Sequence, residues 1–274
     1  MTIRASSGRA LPAKRERTMA DFNNRICLVT GGASGIGRAT CEALADRGAR
    51  VVVTDVDEAA GRGVADAVDG EFTHLDVSDR DAWTRVVSEV VQAHGGLDLV
   101  HLNAGVTTYA AAGGDFPDFD IAAMPTDAYR RAMGANVDGV VFGVSATVEA
   151  LENRGGGAIV VTASVAGLIT WEVDPVYTLT KHAVVGLVRA LAPSLAERGI
   201  TLNAICPAAV ATKIFGPEAD EFVREADLRL MPPAQVADAV IEAVTGGETG
   251  QCWVCYDGRD PILYEPAPLP RLGD

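Results

Sequence analysis

The stretch TGGASGIG, Thr30–Gly37, decides the fold. It follows the short apolar run RICLVT, Arg25–Thr30, and precedes RATCEALADRG, whose apolar residues recur at helical spacing until Gly48 closes the run. A buried strand, a glycine turn and a helix in that order make a phosphate cradle. Glycines at 31, 35 and 37 are spaced G-x-x-x-G-x-G, unlike the commoner GxGxxG dinucleotide fingerprint. The physics is shared: glycine lets the backbone turn sharply and lets a pyrophosphate approach the amides. The helix that follows directs its positive end at that charge. Gly31, Ser34, Gly35 and Gly37 are therefore candidate dinucleotide contacts.

Outward from the loop the pattern stays regular. VVVTD reads as a second buried strand ending at Asp55. EFTHLD, LDLVHLN, AIVVTAS, ITLNAIC and QCWVCY read as further strands. Between them, residues 57–68, 79–94, 126–153, 176–197 and 233–245 have helical spacing. Apolar strands alternating with helices predict an α/β domain, a doubly wound parallel sheet of about seven strands with helices on both faces. Residues 21–258 form this single domain. Residues 1–18 hold five Lys or Arg against Glu16 alone, and residues 1–20 are expected to be a disordered extension, with Met19 offering a second start. Residues 259–274 hold four prolines, which disfavour helix and strand and predict an extended tail.

Asp55 stands where a carboxylate accepts hydrogen bonds from adenosine ribose hydroxyls and repels a 2′-phosphate. No Lys or Arg lies in the loop before Gly37 or beside Asp55. NAD is thus favoured over NADP.

YTLTK, Tyr177–Lys181, lies thirteen positions after Ser164. Residues four apart share a helix face, so the phenol and the ammonium point into one space. A fixed cation favours the phenolate and lowers its pKa, giving an acid/base for a carbonyl or alcohol substrate.

Bulk properties narrow the partners. The net charge of −14 argues against nucleic acid and anionic membranes. No apolar run nears the roughly 20 residues of a membrane span. The five cysteines show no disulfide-rich pattern, which fits a reducing cytoplasm. Cys252 and Cys255 make a lone CxxC on a strand, where positions three apart face opposite ways, so they read as structural. The four histidines lack ligand spacing, and no metal site is expected.

TGGASGIG, Asp55, NAG at Asn103–Gly105, Asn136, Ser164 and YTLTK occur in this order, and together they resemble the short-chain dehydrogenase/reductase family. The resemblance runs from about Arg25 to Tyr256. It implies a Rossmann-type sheet, a nicotinamide cofactor, a small alcohol or ketone substrate and a homodimer or homotetramer. It also implies residue roles. Tyr177 is the acid/base, and Lys181 lowers its pKa and holds the nicotinamide ribose. Ser164 hydrogen-bonds the substrate oxygen. Asn136 orders a water linking Lys181 to solvent. Ile36 lies by the pyrophosphate, Asp76 and Val77 hold the adenine edge, and Asn103, Ala104 and Gly105 pass beneath the cofactor. Pro207, Val210 and Thr212 offer contacts to the nicotinamide carboxamide. One departure stands out: the family follows that proline with glycine, whereas Ala208 stands here and limits the backbone angles of the loop.

Specificity is expected in three loops, Val106–Pro125, Val165–Val176 and Lys213–Met231. Val106, Leu168, Trp171, Ile214 and Phe215 are candidates for an apolar wall, and the third loop for a lid helix. Glu172 and Asp174 are expected in solvent. The reading is an NAD-dependent oxidoreductase of a fairly hydrophobic secondary alcohol or ketone. Two alternatives remain: an epimerase or dehydratase of the same fold using NAD transiently, and a non-catalytic NAD-binding sensor. The first usually carries more chain after the sheet; the second predicts broken catalytic positions, yet all four are present.

Overall fold

A computed structural model describes residues 21–109, 120–215 and 229–267. Its strands are β1 (Ile26–Thr30), β2 (Arg50–Asp55), β3 (Glu71–His74), β4 (Leu99–Leu102), β5 (Gly157–Thr162), β6 (Ile200–Pro207), β7 (Cys252–Cys255) and β8 (Ile262–Leu263). They form one sheet in the order β3-β2-β1-β4-β5-β6-β7-β8. The first seven run parallel, and β8 pairs antiparallel with β7. The sheet therefore has one strand more than expected, drawn from the proline-rich tail. Ile262 and Leu263 lie between Pro261 and Pro266, so both keep the backbone groups that a short edge strand needs.

Helices α1 (Gly35–Ala45), α2 (Glu58–Ala67) and α7 (Pro233–Thr245) cover one face of the sheet. Helices α3 (Arg80–His94), α4 (Thr126–Met133), α5 (Gly139–Glu152) and α6 (Pro175–Ala196) lie in chain order between the strands, and α3, α5 and α6 bury Trp83, Val144 and Val188 against the other face. The residues expected as one helix over 126–153 are instead α4 and α5 joined by a π-helical turn, Gly134–Asp138. An extra residue per turn re-aims a side chain, and here the turn carries Asn136. Cys252 packs into one core layer and Cys255 into the other, as their spacing on a strand requires. All five cysteines are buried free thiols.

Strand order reverses at β1: β2 and β3 lie to one side, β4 to β8 to the other. Loops leaving the carboxyl ends of β1 and β4 diverge there, which opens the crevice where ligands bind in such sheets. Residues 1–20 and 268–274 lie outside the described residues, as do Phe116, Phe119 and most of the expected lid.

Candidate active site

A cleft of about 790 Å³ opens at this reversal point. One end is the glycine loop. Gly31 has φ +62°, a region that L side chains rarely adopt, and a Cβ there would lie 2.9 Å from the Ala104 Cα. Gly35 faces the cleft and abuts Thr212: a Cβ would lie 2.9 Å from the Thr212 Cγ2. Ser34 and Ile36 line the same end. Gly37 does not line the cleft. It sits under the loop, where a Cβ would collide with the Gly31 carbonyl oxygen. Its glycine is required by the packing of α1 against the turn.

Asp55 ends β2 and also lines the cleft. It does not cap the next helix; Asp57 does, accepting the Ala60 N–H at 3.0 Å. Asp55 accepts the Ala33 N–H of the glycine loop at 3.0 Å with one oxygen and the Asp57 N–H at 3.0 Å with the other. Val56 beside it is 62 % exposed and lines the cleft. Arg38, just beyond the loop, is paired with Glu42 at 2.8 Å along α1. Asp76 and Val77 line the cleft on the far side of β2, with Asp76 accepting the Ser78 N–H at 2.9 Å.

Asn103 and Ala104 form the floor. The Asn103 amide donates to the Thr30 and Gly31 carbonyls at 3.0 and 3.3 Å. Both Asn103 N–H and Ala104 N–H donate to the Thr30 hydroxyl, at 2.9 and 3.0 Å. Gly105 lies against Asn136, whose Oδ1 a Cβ would meet at 3.0 Å.

At the other end Tyr177, Ser164 and Lys181 converge on the cleft. Tyr177 and Lys181 share one face of α6, as their spacing predicts. The Lys181 Nζ donates to the Thr162 carbonyl at 2.8 Å and stands 5.4 Å from the centre of the Tyr177 ring. Burial pulls the Lys181 ammonium down to about 8. Burial also pushes the Tyr177 phenol above its ordinary value, opposed by a hydrogen bond with Ser164 and reinforced by the Asp174 carboxylate and Cys206. The expected lowering of the phenol by Lys181 is thus not the dominant influence in the protein alone, because removing both groups from water outweighs it.

Asn136 is buried behind the cleft and does not line it. Its amide is fully committed: Oδ1 accepts the Val106 N–H at 2.8 Å, and Nδ2 donates to the Val106 carbonyl at 2.8 Å and the Thr180 hydroxyl at 3.0 Å. Pro207, Val210 and Thr212 line the roof. Ala208 is not among the residues with positive φ; its N–H donates to the Cys255 carbonyl at 3.0 Å, so alanine fits the turn where glycine was expected.

The apolar wall differs from expectation at one position. Val106, Trp171 and Ile214 line the cleft, but Leu168 packs into the core and Ile169 takes its place. The Phe215 side chain lies outside the described residues. Trp171 meets Tyr177 edge-on at 5.7 Å between ring centres. Glu172 is exposed as expected. Asp174 is not: it is fully buried and caps α6. The sequence reading also passed over Thr162, Arg131 and Lys213, which line the cleft. Only their position relative to strand ends and loops, not a motif, marks them.

A glycine cradle that added Cβ atoms would fill, a carboxylate at the end of β2 and a cleft of about 790 Å³ fit a nicotinamide cofactor. A family model described as short chain dehydrogenase matches residues 25–221. The chain belongs to the short chain dehydrogenase family. It is an oxidoreductase of the kind that acts on CH–OH groups with a nicotinamide cofactor. Among its relatives, 2,5-dichloro-2,5-cyclohexadiene-1,4-diol dehydrogenase of Sphingobium indicum is 36 % identical over 200 residues, covering 72 % of this chain and 77 % of that one. A 3beta-hydroxysteroid dehydrogenase of Mediterraneibacter gnavus is 36 % identical over 201 residues, covering 72 % and 70 %. Among solved structures, a short-chain type dehydrogenase/reductase from Mycobacterium marinum superposes with a TM-score of 0.77 at 28 % identity, covering 87 % of this chain and 96 % of that one. Levodione reductase gives 0.76 at 26 % identity, covering 85 % and 96 %.

Proposed function

We propose that this short chain dehydrogenase oxidises an apolar, ring-containing secondary alcohol with NAD, using Tyr177 as the base. The observation that carries the reading is the convergence of Tyr177, Ser164 and Lys181 on the cleft that the glycine loop closes. Bound NAD would supply the hydride acceptor. The glycine loop with Ser34 and Ile36 would hold its pyrophosphate, Asp55 its adenosine ribose, and Lys181 the ribose beside the reacting ring. The Tyr177 side chain, ionised as phenolate, would take the proton of the substrate hydroxyl, while Ser164 steadies the developing charge on the substrate oxygen. Lys181 would place a positive charge beside the phenolate before the transfer, which leaves Tyr177 as a neutral phenol. Asn136 holds Val106 and Thr180 in place behind these groups.

Asp55 and the exposed Val56 support NAD over NADP, since a 2′-phosphate there would meet a carboxylate and an apolar wall. Val106, Ile169, Trp171 and Ile214 support an apolar substrate, and the diol and hydroxysteroid substrates named for its relatives are cyclic. The five free thiols support a reducing compartment such as the cytoplasm, and no helix among the described residues is long and apolar enough to cross a membrane. A homodimer or homotetramer is the assembly that the family favours.

A panel of alicyclic and steroidal alcohols, followed by NADH absorbance, tests the reading. Turnover with at least one cyclic alcohol is expected. Tyr177→Phe should retain NAD binding yet lose at least about 10²-fold in turnover. Parent-like activity of that variant would overturn the role of Tyr177.

A further inference from the structure

A polar chain runs from the buried His101 to Thr162 and Asn103, both of which line the cleft. His101 stands on β4, fully buried, between Val29 on β1 and Val160 on β5. Its Nε2 lies 2.9 Å from the Thr162 hydroxyl, which lies 3.0 Å from the Asn103 Oδ1. Hydrogen-bond arithmetic fixes every proton. The Asn103 Nδ2 faces two carbonyls, Thr30 and Gly31, which only accept, so Nδ2 must donate to both. Asn103 therefore presents Oδ1 to Thr162, and Oδ1 also only accepts. The single Thr162 hydroxyl proton is committed there. The Thr162 oxygen is left as an acceptor towards His101, so the imidazole must carry its proton on Nε2. Nδ1 is then a bare lone pair, and it is indeed buried without a partner among the described residues.

We propose that His101 is a positioning residue for the dinucleotide loop: as the neutral Nε2–H tautomer it aims Thr162 at Asn103, and Asn103 in turn holds the Thr30 and Gly31 carbonyls. Thr162 links the two ends of the cleft, because its carbonyl accepts from the Lys181 ammonium. An aliphatic residue at 101 would remove the donor that orients the Thr162 hydroxyl, and the Thr162–Asn103 bond, one of three that hold the Asn103 amide, would weaken. Burial supports the neutral form, pulling His101 down to about 3, so the chain keeps one arrangement throughout the working pH range.

The inference rests on dinucleotide binding, and its test separates the two. Nitrogen-15 spectra of the imidazole should show a proton on Nε2 with no titration between about pH 5 and pH 8. A proton on Nδ1, or a titration in that window, overturns the chain. Calorimetric titration with NAD supplies the second arm. His101→Leu should bind about five- to tenfold more weakly, the size of one net hydrogen bond. His101→Gln, whose amide can donate from the Nε2 position, should recover to within about twofold. Thr162→Val should show the same loss, and the double variant no further loss. Parent-like binding by His101→Leu, no recovery in His101→Gln, or additive losses would overturn the proposal. Absence of dinucleotide binding by the parent chain would sink the functional reading and leave the imidazole spectrum to decide the hydrogen-bond chain.

Discussion

Asp174 accepts the Tyr177 backbone N–H at 2.8 Å with one carboxylate oxygen and the Thr108 N–H at 2.7 Å with the other. One buried carboxylate thus joins α6 to the loop after β4. Tyr109 of that loop donates its hydroxyl to the Val173 carbonyl, closing a second link. The first turn of α6 and the near wall of the cleft are held as one piece.

The same carboxylate helps to keep the Tyr177 phenol above its ordinary pKa. The other groups facing the phenol are Ser164 on the turn after β5, Cys206 on β6 and Lys181 on its own helix. In Asp174→Asn the raising charge is gone and the phenol becomes more acidic. Alcohol oxidation needs the phenolate, so the acid limb of the kcat profile should move to lower pH. The variant also sets an amide N–H₂ against the Thr108 N–H, at a stability cost of about 1–3 kcal/mol. A pH series of initial rates beside thermal melts checks both; an unmoved acid limb would remove Asp174 from control of the phenol.

Lys181 carries a stability penalty. Its folded-state pKa, about 8, lies below the ordinary lysine value of 10.5. The sign is the reverse of a stabilising ion pair: the penalty is present below pH 8 and is relieved as pH rises towards 10.5. Lys181→Met should therefore melt at higher temperature than the parent at pH 7. The gain is about 2 kcal/mol once the lost bond to Thr162 is set against the relief of the buried charge. The advantage should shrink between pH 8 and 10.5, while turnover is lost throughout. Calorimetry across that range is the check.

Asp55→Ala should narrow the preference for NAD over NADP, by loss of NAD affinity and by easier acceptance of a 2′-phosphate. It also frees the Ala33 N–H of the glycine loop. Titration with both dinucleotides measures the ratio. An unchanged ratio would reduce Asp55 to a brace for the loop.

Asp98 offers a control far from the chemistry. Burial alone would raise its pKa, but the Ile26 N–H at 2.9 Å, Arg154 at 2.7 Å and Arg25 at 2.9 Å hold the carboxyl below the usual range. Its contribution is present above the ordinary carboxyl pKa and is lost as pH falls through the lowered one. Asp98→Ala should cost about 3 kcal/mol, because two guanidinium groups and a backbone donor lose their acceptor. Activity at 25 °C should stay near the parent's, and urea melts should show a smaller difference below the ordinary carboxyl pKa, at about pH 3, than at pH 7.

The sheet and the glycine turn were legible because their signals are local. A buried strand, a glycine turn and a helix are contiguous, and Tyr177 and Lys181 sit one helical turn apart. Asp174 was not legible, since nothing in VDPVY tells that Thr108 will close over it. Leu168 faces the core and Ile169 the cleft because the 3₁₀ turn Val165–Gly167 sets which neighbour faces inward. The break in the long helix at Gly134–Asp138 was hidden because a π turn changes the hydrogen-bond partner without changing the apolar pattern. His101 read as one more strand residue until its neighbours across the sheet were known.

Gly35, from the first turn of the domain, rests on the Thr212 methyl, from the loop after β6. An amino-terminal fragment that ends before β6 lacks Thr212 and leaves the glycine-loop end of the cleft without that neighbour. Nucleotide binding is therefore expected to report that this late loop has docked. A nascent chain would acquire it only after the sixth strand has docked, and limited proteolysis between those strands should abolish it in one step.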